Sequence, residues 1–306
     1  MLCDDLIADK LLPQGYDGLD RVFDRIRKAR KFTLSKEFAV AADGLVTNFK
    51  ELYKIIPYCR IPYPATWIEW LHDDRPHWNP EGPYKARPVD RTRHQKAPQR
   101  VGMLMEQQSA FAGHWKTHLF WATKEKLDPT DVESKFNGSL GAIILDTRKV
   151  LESSEGDPLV EALDGRCLAD FGRGLLDRLM VHQPDAAMRL MEYAVEDWGG
   201  EIRFMVAVLG LLNTRNVAQH SFVNKELHNI KRAKQRKLPL FSHTVLKIRP
   251  QLWVNREGGE AGGHRDLRLH FVRGHFKHRK SGLFWWSMHP RGRKQLGIIE
   301  KDYEVT

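Results

Sequence analysis

The sequence predicts an α+β protein with a mainly antiparallel sheet from both chain ends, a helical middle region and a C-terminal β-hairpin. Short segments rich in branched and aromatic residues occur before residue 147 and again after residue 240, which is typical of strands. Between them, residues 157–217 show the helical spacing of apolar side chains and few β-branched clusters. Strands and helices do not alternate regularly, which argues against a doubly wound parallel sheet.

The N-terminal region, residues 1–150, is predicted to mix helices with strands. In residues 17–31 the apolar side chains recur on one helical face, so a short amphipathic helix is expected, and residues 45–58 predict another. Two prolines then exclude a helix, and strands are predicted for TWIEW, VGMLMEQ, HWKTHLFWAT and GSLGAIILDT. Residues 72–100 are rich in proline, histidine and arginine without periodicity, which predicts a long surface loop.

Two further regions complete the predicted organisation. Residues 151–237 are expected to be helical and to end in a basic helix near residues 221–235. Residues 238–306 are expected to contain a strand at SHTVLKIRPQLWV, a Gly-rich loop, a hairpin and a last strand at IIEKDYEV. This C-terminal region either folds by itself or shares one sheet with residues 1–150.

Composition and motifs exclude several classes of protein. The chain has 306 residues and no apolar run near the roughly 20 residues that span a bilayer, so no membrane association is predicted. The N-terminus lacks the pattern of a secretory signal, and three scattered cysteines without a CxxC pair favour a reducing, cytoplasmic location. No P-loop, GxGxxG, GxSxG or HExxH motif occurs. The sequence therefore predicts no cofactor and no metal site, and argues against a kinase, an ATPase or an α/β-hydrolase.

The positive charge of the chain is concentrated in two windows. The formal net charge is +10; residues 225–237 carry +5, and residues 264–294 carry +8. The remaining residues therefore sum to −3, since 10 − 5 − 8 = −3. A local basic excess favours a partner such as nucleic acid, another polyanion or an acidic protein. The alternative is a solvated basic face that only aids solubility.

The predicted hairpin, residues 267–277 and 283–289, concentrates histidine, arginine and tryptophan, but its register is open. A three-residue turn at 280–282 would set Arg273 opposite His289 and Lys277 opposite Trp285, which gathers the polar groups on one face. A two-residue turn at 281–282 would separate them, because a slip of one residue exchanges the faces of a strand.

If the polar groups share one face, the site suits a negatively charged ligand. His275 and His289 would then act as base and acid in a metal-independent cleavage of RNA. Arginine and lysine would hold phosphate, and tryptophan would stack on a base. The candidate anion-binding residues are Arg273, Lys277, Arg291, Arg293, Trp285, Lys231 and Arg232.

Five segments carry a resemblance: RIPYPATWIEW, RVGMLM, VLGLLNTRNV, KLPLFSHTVLKI and HFVRGHFKHRKSGLFWWSMHPRG. With them the chain resembles a group of proteins carried by bacteriophages, prophages and other mobile elements. The resemblance covers most of the chain, and its most specific part is the RGH…HxRG pattern at residues 273–275 and 289–292. No activity is established for that group, so the resemblance implies a phage or prophage context and no catalytic residue.

Three hypotheses about function follow from the sequence. The first is a protein that binds nucleic acid or another polyanion through the hairpin and the basic helix. The second is a metal-independent ribonuclease or phosphodiesterase that uses His275 and His289. The third is an inhibitor or adaptor that docks its basic face on an acidic host protein.

Overall fold

The structure is a computed structural model, and a central sheet with helices on both faces organises it. The residues that it describes are 1–9, 19–75, 98–123, 136–152, 156–168, 173–196, 198, 201–248, 268–272, 275–286, 289–291 and 293–298. The predicted Gly-rich loop lies outside these residues, and so does most of the predicted loop 72–100, of which only the two ends are described.

Eight strands form the central sheet. Their bounds are β1 Arg30–Leu34, β2 Ala65–Leu71, β3 Pro98–Gln107, β4 His114–Thr123, β5 Phe136–Asp146, β6 Leu163–Leu168, β7 Ala218–Val223 and β8 His243–Ile248. The strand order is β6-β5-β4-β3-β2-β1-β8-β7, and β1 runs parallel to both β2 and β8. The remaining neighbours are antiparallel. The predicted α+β class is confirmed, but the sheet is mixed, and the prediction of a mainly antiparallel sheet missed its parallel centre.

The parallel centre follows from how the chain connects its strands. Parallel neighbours cannot be joined by a tight turn, and the connection from β1 to β2 runs through two helices. The α-helices of the described chain are α1 Leu2–Asp9, α2 Leu19–Lys28, α3 Lys36–Val46, α4 Phe49–Ile55, α5 Lys149–Glu152, α6 Pro158–Ala162, α7 Arg173–His182, α8 Pro184–Glu196, α9 Glu201–Leu212 and α10 Glu226–Lys234. Within the described part, none of them is both long and apolar enough to cross a bilayer.

Helices pack on both faces of the sheet because its central strands are apolar on both sides. On one face, α1 and α2 pack through Leu6 and Phe23 against Trp67 of β2. On the other face, α3, α4 and α9 pack through residues such as Phe38 and Phe204 against the larger core. A central strand that is buried on both faces does not show the alternation of a half-exposed strand.

Several predicted elements need correction. The predicted helix 17–31 stops at Lys28, and residues from Arg30 onward form β1. The predicted helix 45–58 is not continuous: it covers the end of α3, then α4 and a 3-10 turn. Asn48 lies between the two helices and caps α4, since its side chain accepts a hydrogen bond from the Glu51 amide. The predicted helix 221–235 begins only at Glu226, because the residues before it extend the sheet as β7. A strand, β6, interrupts the helical middle region.

The C-terminal strands form two small sheets of their own. They are β9 Arg268–Val272, β10 His275–Arg279, β11 Gly282–Trp286, β12 His289–Arg291 and β13 Arg293–Ile298. Strands β10 and β11 pair with each other, and β9 lies between β12 and β13. Among the described strands, β8 is therefore the last to join the central sheet, and the hairpin region does not share that sheet with residues 1–150.

The hairpin has neither of the two registers considered above. Arg279 pairs with Gly282, so the turn consists of Lys280 and Ser281. Gly282 has φ +124°, a backbone conformation that glycine adopts without strain. Lys277 consequently pairs with Phe284, whereas Trp285 pairs with Phe276. The predicted pairing of Lys277 with Trp285 is wrong.

Lys31 is a buried cation beside Trp67 in the centre of the sheet. Its ammonium group donates hydrogen bonds to the carbonyl oxygens of Ile26, Arg27 and Ala29 at 2.5–2.7 Å, which satisfies the C-terminal turn of α2. The ammonium also lies 4.0 Å from the centroid of the Phe241 ring. Burial disfavours the charged form and lowers the pKa of Lys31 from 10.5 to about 8.

We expect this depressed pKa to make stability depend on pH. Above pH 8 the folded protein releases the Lys31 proton while the unfolded chain keeps it, so the free energy of unfolding rises with pH. The gain is at most about 1.4 kcal/mol per pH unit, and it should be absent in Lys31→Met. Urea unfolding of both proteins at neutral pH and at roughly pH 9.5 measures it. Lys234→Met, at an exposed position on α10, serves as the control. A wild-type advantage over Lys31→Met that does not change with pH would contradict the expectation.

Candidate nucleic-acid interface

An exposed group of aromatic and basic side chains lies at one end of the sheet. The guanidinium carbon of Arg30 is 5.8 Å from the ring centroid of Tyr63 and 5.4 Å from that of Phe222. Tyr63 is 46% exposed and Phe222 is 56% exposed. Below them the buried ring of Phe32 contacts Tyr63 and, edge-on, the exposed imidazole of His220. We call Arg30, Tyr63, His220 and Phe222 the aromatic–cation patch.

The sheet register brings these four side chains together. Phe222 of edge strand β7 lies opposite Thr244 of β8, and Thr244 lies beside Phe32 of β1. Arg30 is two residues before Phe32, so both project from the same face of β1. Tyr63 belongs to the turn that precedes β2, the other neighbour of β1. The patch thus joins segments that are far apart in sequence.

Helix α10 continues this surface with positive charge. An open groove next to the patch is lined by Phe222, by Glu226, Asn229, Ile230 and Ala233 of α10, and by Lys237 after the helix. None of the residues of α10 is buried. The side chain of Asn229 anchors the helix, since it exchanges two hydrogen bonds of 2.8 Å with the backbone of Leu240.

The predicted basic residues Lys231 and Arg232 lie in α10. Lys231 is exposed, and Arg232 is half-buried because its Nε donates a hydrogen bond of 2.7 Å to the carbonyl oxygen of Leu238. Lys234 and Arg236 add exposed positive charge to the same segment. The predicted basic helix is therefore confirmed with the shorter bounds given above, and the structure shows in addition that none of its residues is buried.

The hairpin is a second basic surface, held to the core by its apolar side. Phe276 and Leu283 are buried, and the Phe276 amide donates a hydrogen bond to Glu51 of α4 at 3.1 Å. Asn216 donates to the Trp285 carbonyl oxygen at 2.7 Å and accepts from the Trp285 amide at 2.9 Å. Trp285 also packs edge-on against Phe276, with ring centroids 4.7 Å apart. Trp285 is therefore partly buried against the edge of the hydrophobic core, and its ring is not freely available to stack on a base.

The tip of the hairpin is exposed and basic. Lys277, Arg279 and Lys280 are exposed, and the exposed His278 ring stacks on Tyr58 with centroids 4.7 Å apart. Lys277 is therefore at the surface, and its predicted role in binding an anion stays a prediction. The Arg279 guanidinium lies 5.7 Å from the centroid of the Phe284 ring.

The other predicted hairpin residues are known by their strand positions alone. His275 pairs with Trp286, and His289 pairs with Val272, so the two histidines are not cross-strand partners. Their use as an acid and base pair stays a prediction that the strand pairing does not support. Arg291 of β12 pairs with His270 of β9, and Arg293 is the first residue of β13. Arg273 lies outside the described residues.

Sequence reasoning missed the aromatic–cation patch. The predicted helix 17–31 includes Arg30, and the predicted helix 221–235 includes Phe222, although both residues lie in strands; His220 lies just before the second predicted helix. The available signal was Tyr63, a large aromatic residue between two prolines, where a core position is unfavourable. Only the pairing of β7, β8, β1 and β2 shows that these residues are neighbours.

No protein-family model, curated protein or solved structure matches the chain. The fold and the chemistry of its surface are therefore the basis for inferring function.

Proposed function

We propose that this protein binds single-stranded nucleic acid through the aromatic–cation patch and the basic helix α10. The observation that carries the proposal is Arg30 between two exposed aromatic rings, Tyr63 and Phe222. Exposed rings stack on bases without regard to sequence, and a neighbouring guanidinium contacts phosphate or stacks in turn. Lys237 lines the adjoining groove, and helix α10 on that groove carries Lys231, Arg232 and Lys234, so a phosphate backbone bound there would gain from their charge.

Substitution of the two aromatic residues tests the proposal. Tyr63→Ala and Phe222→Ala are each expected to weaken binding of a short labelled RNA by about 5- to 150-fold, which corresponds to about 1–3 kcal/mol per stacked base. Fluorescence anisotropy at fixed salt gives the dissociation constants. The affinity of the wild-type protein should also fall steeply as salt is raised, because bound phosphates release counterions.

Phe49→Ala is the matched control for this experiment. Phe49 on α4 is 44% exposed, and the Arg203 guanidinium lies 4.8 Å from its ring centroid, so it resembles Phe222 in exposure and in its cationic neighbour. It lies outside the patch, and its loss should leave the affinity unchanged. Equal effects of Phe49→Ala and Phe222→Ala, or binding that is insensitive to salt, would refute the proposed surface.

The apolar side chains of α10 favour a second function, docking on an acidic protein. Leu227 is 79% exposed and Ile230 is 54% exposed, which is more than nucleic-acid binding needs. Two variants separate the functions. Lys231→Glu/Arg232→Glu should weaken either partner, whereas Leu227→Ser, outside the groove, should weaken a protein partner and spare RNA. A phage or prophage origin, which the sequence resemblance implies, is compatible with either function.

A further inference from the structure

Three polar side chains form a hydrogen-bonded chain at the turn between β3 and β4, away from the aromatic–cation patch. The imidazole Nδ1 of His114 lies 3.2 Å from the hydroxyl of Ser109, and its Nε2 lies 2.8 Å from Oδ2 of Asp164. Ser109 is exposed, so its oxygen is accessible to a ligand, and the His114 ring is half-buried. Serine, histidine and carboxylate in this order are the groups that activate a nucleophile in acyl transfer.

The two contacts of His114 favour the tautomer in which its imidazole can act as a base toward Ser109. Asp164 is an acceptor, so the imidazole carries its proton on Nε2 and donates it to that carboxylate. Nδ1 is then free to accept the Ser109 proton. Hydrogen bonds from Lys149 and His114 lower the pKa of Asp164, which keeps the carboxylate ionised. The arrangement differs from the familiar serine hydrolases in that the serine faces Nδ1 rather than Nε2.

The turn that presents Ser109 is tightly held. The Phe111 amide donates a hydrogen bond to the Ser109 hydroxyl at 3.3 Å, and the His114 amide donates to the Phe111 carbonyl oxygen at 3.0 Å. Gly113 makes this approach possible, because a side chain there would lie 2.4 Å from the Thr147 hydroxyl and 2.5 Å from the Phe111 ring. Ser109 and His114 are thus held by backbone contacts, which favours a fixed geometry.

Two arginine side chains, Arg60 and Arg148, lie against the Phe111 ring of this turn. The guanidinium carbons of Arg60 and Arg148 lie 4.3 Å and 4.7 Å from the centroid of the Phe111 ring. Arg60 is held by hydrogen bonds to backbone carbonyl oxygens and to the Thr147 hydroxyl, and Arg148 is paired with Asp146. Both guanidiniums therefore pack around the ring that follows Ser109 by two residues, and both are already engaged by hydrogen bonds or an ion pair.

We propose that Ser109 is a nucleophile, with His114 as its base and Asp164 as the residue that positions the imidazole, and that it is acylated by small carboxylic esters. The Ser109 oxygen bonds to the carbonyl carbon as its proton passes to Nδ1 of His114. The bond between that carbon and the alcohol oxygen then breaks, and His114 returns the proton to the departing alcohol. Water attacks the acyl-serine by the same route and releases the acid.

A fluorophosphonate probe tests the nucleophile without a known substrate. The Ser109 oxygen should displace fluoride and form a bond to phosphorus, and mass spectrometry of peptides from the full-length protein locates the adduct. Ser109→Ala should abolish labelling. His114→Ala should slow it by about 100-fold or more, the usual contribution of a general base. Asp164→Ala should slow labelling less, and Asp164→Glu should restore most of the rate, because a carboxylate again holds the ring.

Ser281→Ala is the control, since Ser281 is also an exposed serine in a turn between two strands and has no histidine partner within the described part of the chain. Its labelling rate should equal that of the wild-type protein. Thermal unfolding of each variant confirms that the fold is intact, which is expected because Ser109 and Asp164 are exposed and His114 is half-buried rather than part of the core. A wild-type protein that stays unlabelled, or equal labelling of wild type and His114→Ala, would overturn the proposal. Neither result would affect the proposed nucleic-acid surface.

Discussion

Replacing Arg75 with methionine is expected to lower the free energy of unfolding by about 3–5 kcal/mol. Arg75 follows β2, and its guanidinium is buried between the larger core and two carboxylates. It donates from Nε to Asp43 at 3.2 Å and from Nη1 to both oxygens of Glu201 at 2.8 Å. The guanidinium also lies 4.1 Å from the centroid of the Phe204 ring. Methionine would fill the space but leave two buried carboxylates without this cation.

Urea unfolding followed by tryptophan fluorescence measures the loss. Arg27→Met is the matched control, because the ion pair of Arg27 with Asp24 has a similar distance, 2.7 Å, but is largely exposed. That control should change stability by no more than about 0.5 kcal/mol. The triple variant Arg75→Met/Asp43→Asn/Glu201→Gln should regain part of the loss, since it removes the buried charges as well. A loss below about 1 kcal/mol for Arg75→Met would contradict the expectation that burial makes the contacts of Arg75 with the two carboxylates costly to break.

Replacing Gly102 with alanine is expected to cost about 3 kcal/mol, at the upper end of the usual penalty for overpacking. Gly102 lies in β3 between Glu69 of β2 and Phe120 of β4. A methyl group there would lie 2.3 Å from the indole ring of Trp67, well inside van der Waals contact. The indole cannot retreat easily, because it is fully buried, packs on Phe120 and donates a hydrogen bond of 2.9 Å to Glu69.

Gly165→Ala gives the matched comparison for Gly102→Ala. Gly165 also lies in a strand, β6, but nothing is within 4 Å of the position that its methyl group would take. Alanine there should be neutral or slightly stabilising. If crowding against the indole is the cause, then the combined loss in Gly102→Ala/Trp67→Phe should be smaller than the sum of the single losses. Additive losses, or similar effects at both glycines, would contradict the steric explanation.

The elements that sequence analysis predicted well are those whose signal is local. The bounds of β4 coincide with the predicted segment HWKTHLFWAT, because apolar and β-favouring residues fill its whole length. Strand β1 escaped prediction because it has only five residues, RKFTL, and its place in the sheet depends on partners in β2 and β8. The hairpin was predicted as an element, but its register was not. The turn at Lys280 and Ser281 differs from the alternatives by one residue, and that shift reassigns every cross-strand pair.

In the candidate interface, too, the local features could be predicted from the sequence and the features that depend on strand pairing could not. The basic character of residues 225–237 could be read directly from composition, and the exposure of α10 follows from its few apolar residues. The neighbourhood of Arg30, Tyr63 and Phe222 could not be read from it, because Tyr63 alone stands out within its segment and nothing local places Arg30 and Phe222 beside it. Their proximity arises from pairing between strands that are distant along the chain.

The sequence by itself determined the α+β class, the apolar segments that build the core and the two windows of positive charge. Tertiary structure alone decided the parallel centre of the sheet, the hairpin register, the burial of Arg75 and the meeting of Ser109, His114 and Asp164. The physical reason is that propensity, periodicity and charge act over a few neighbouring residues. Strand pairing and side-chain contacts instead depend on which distant segments are brought together when the core excludes water.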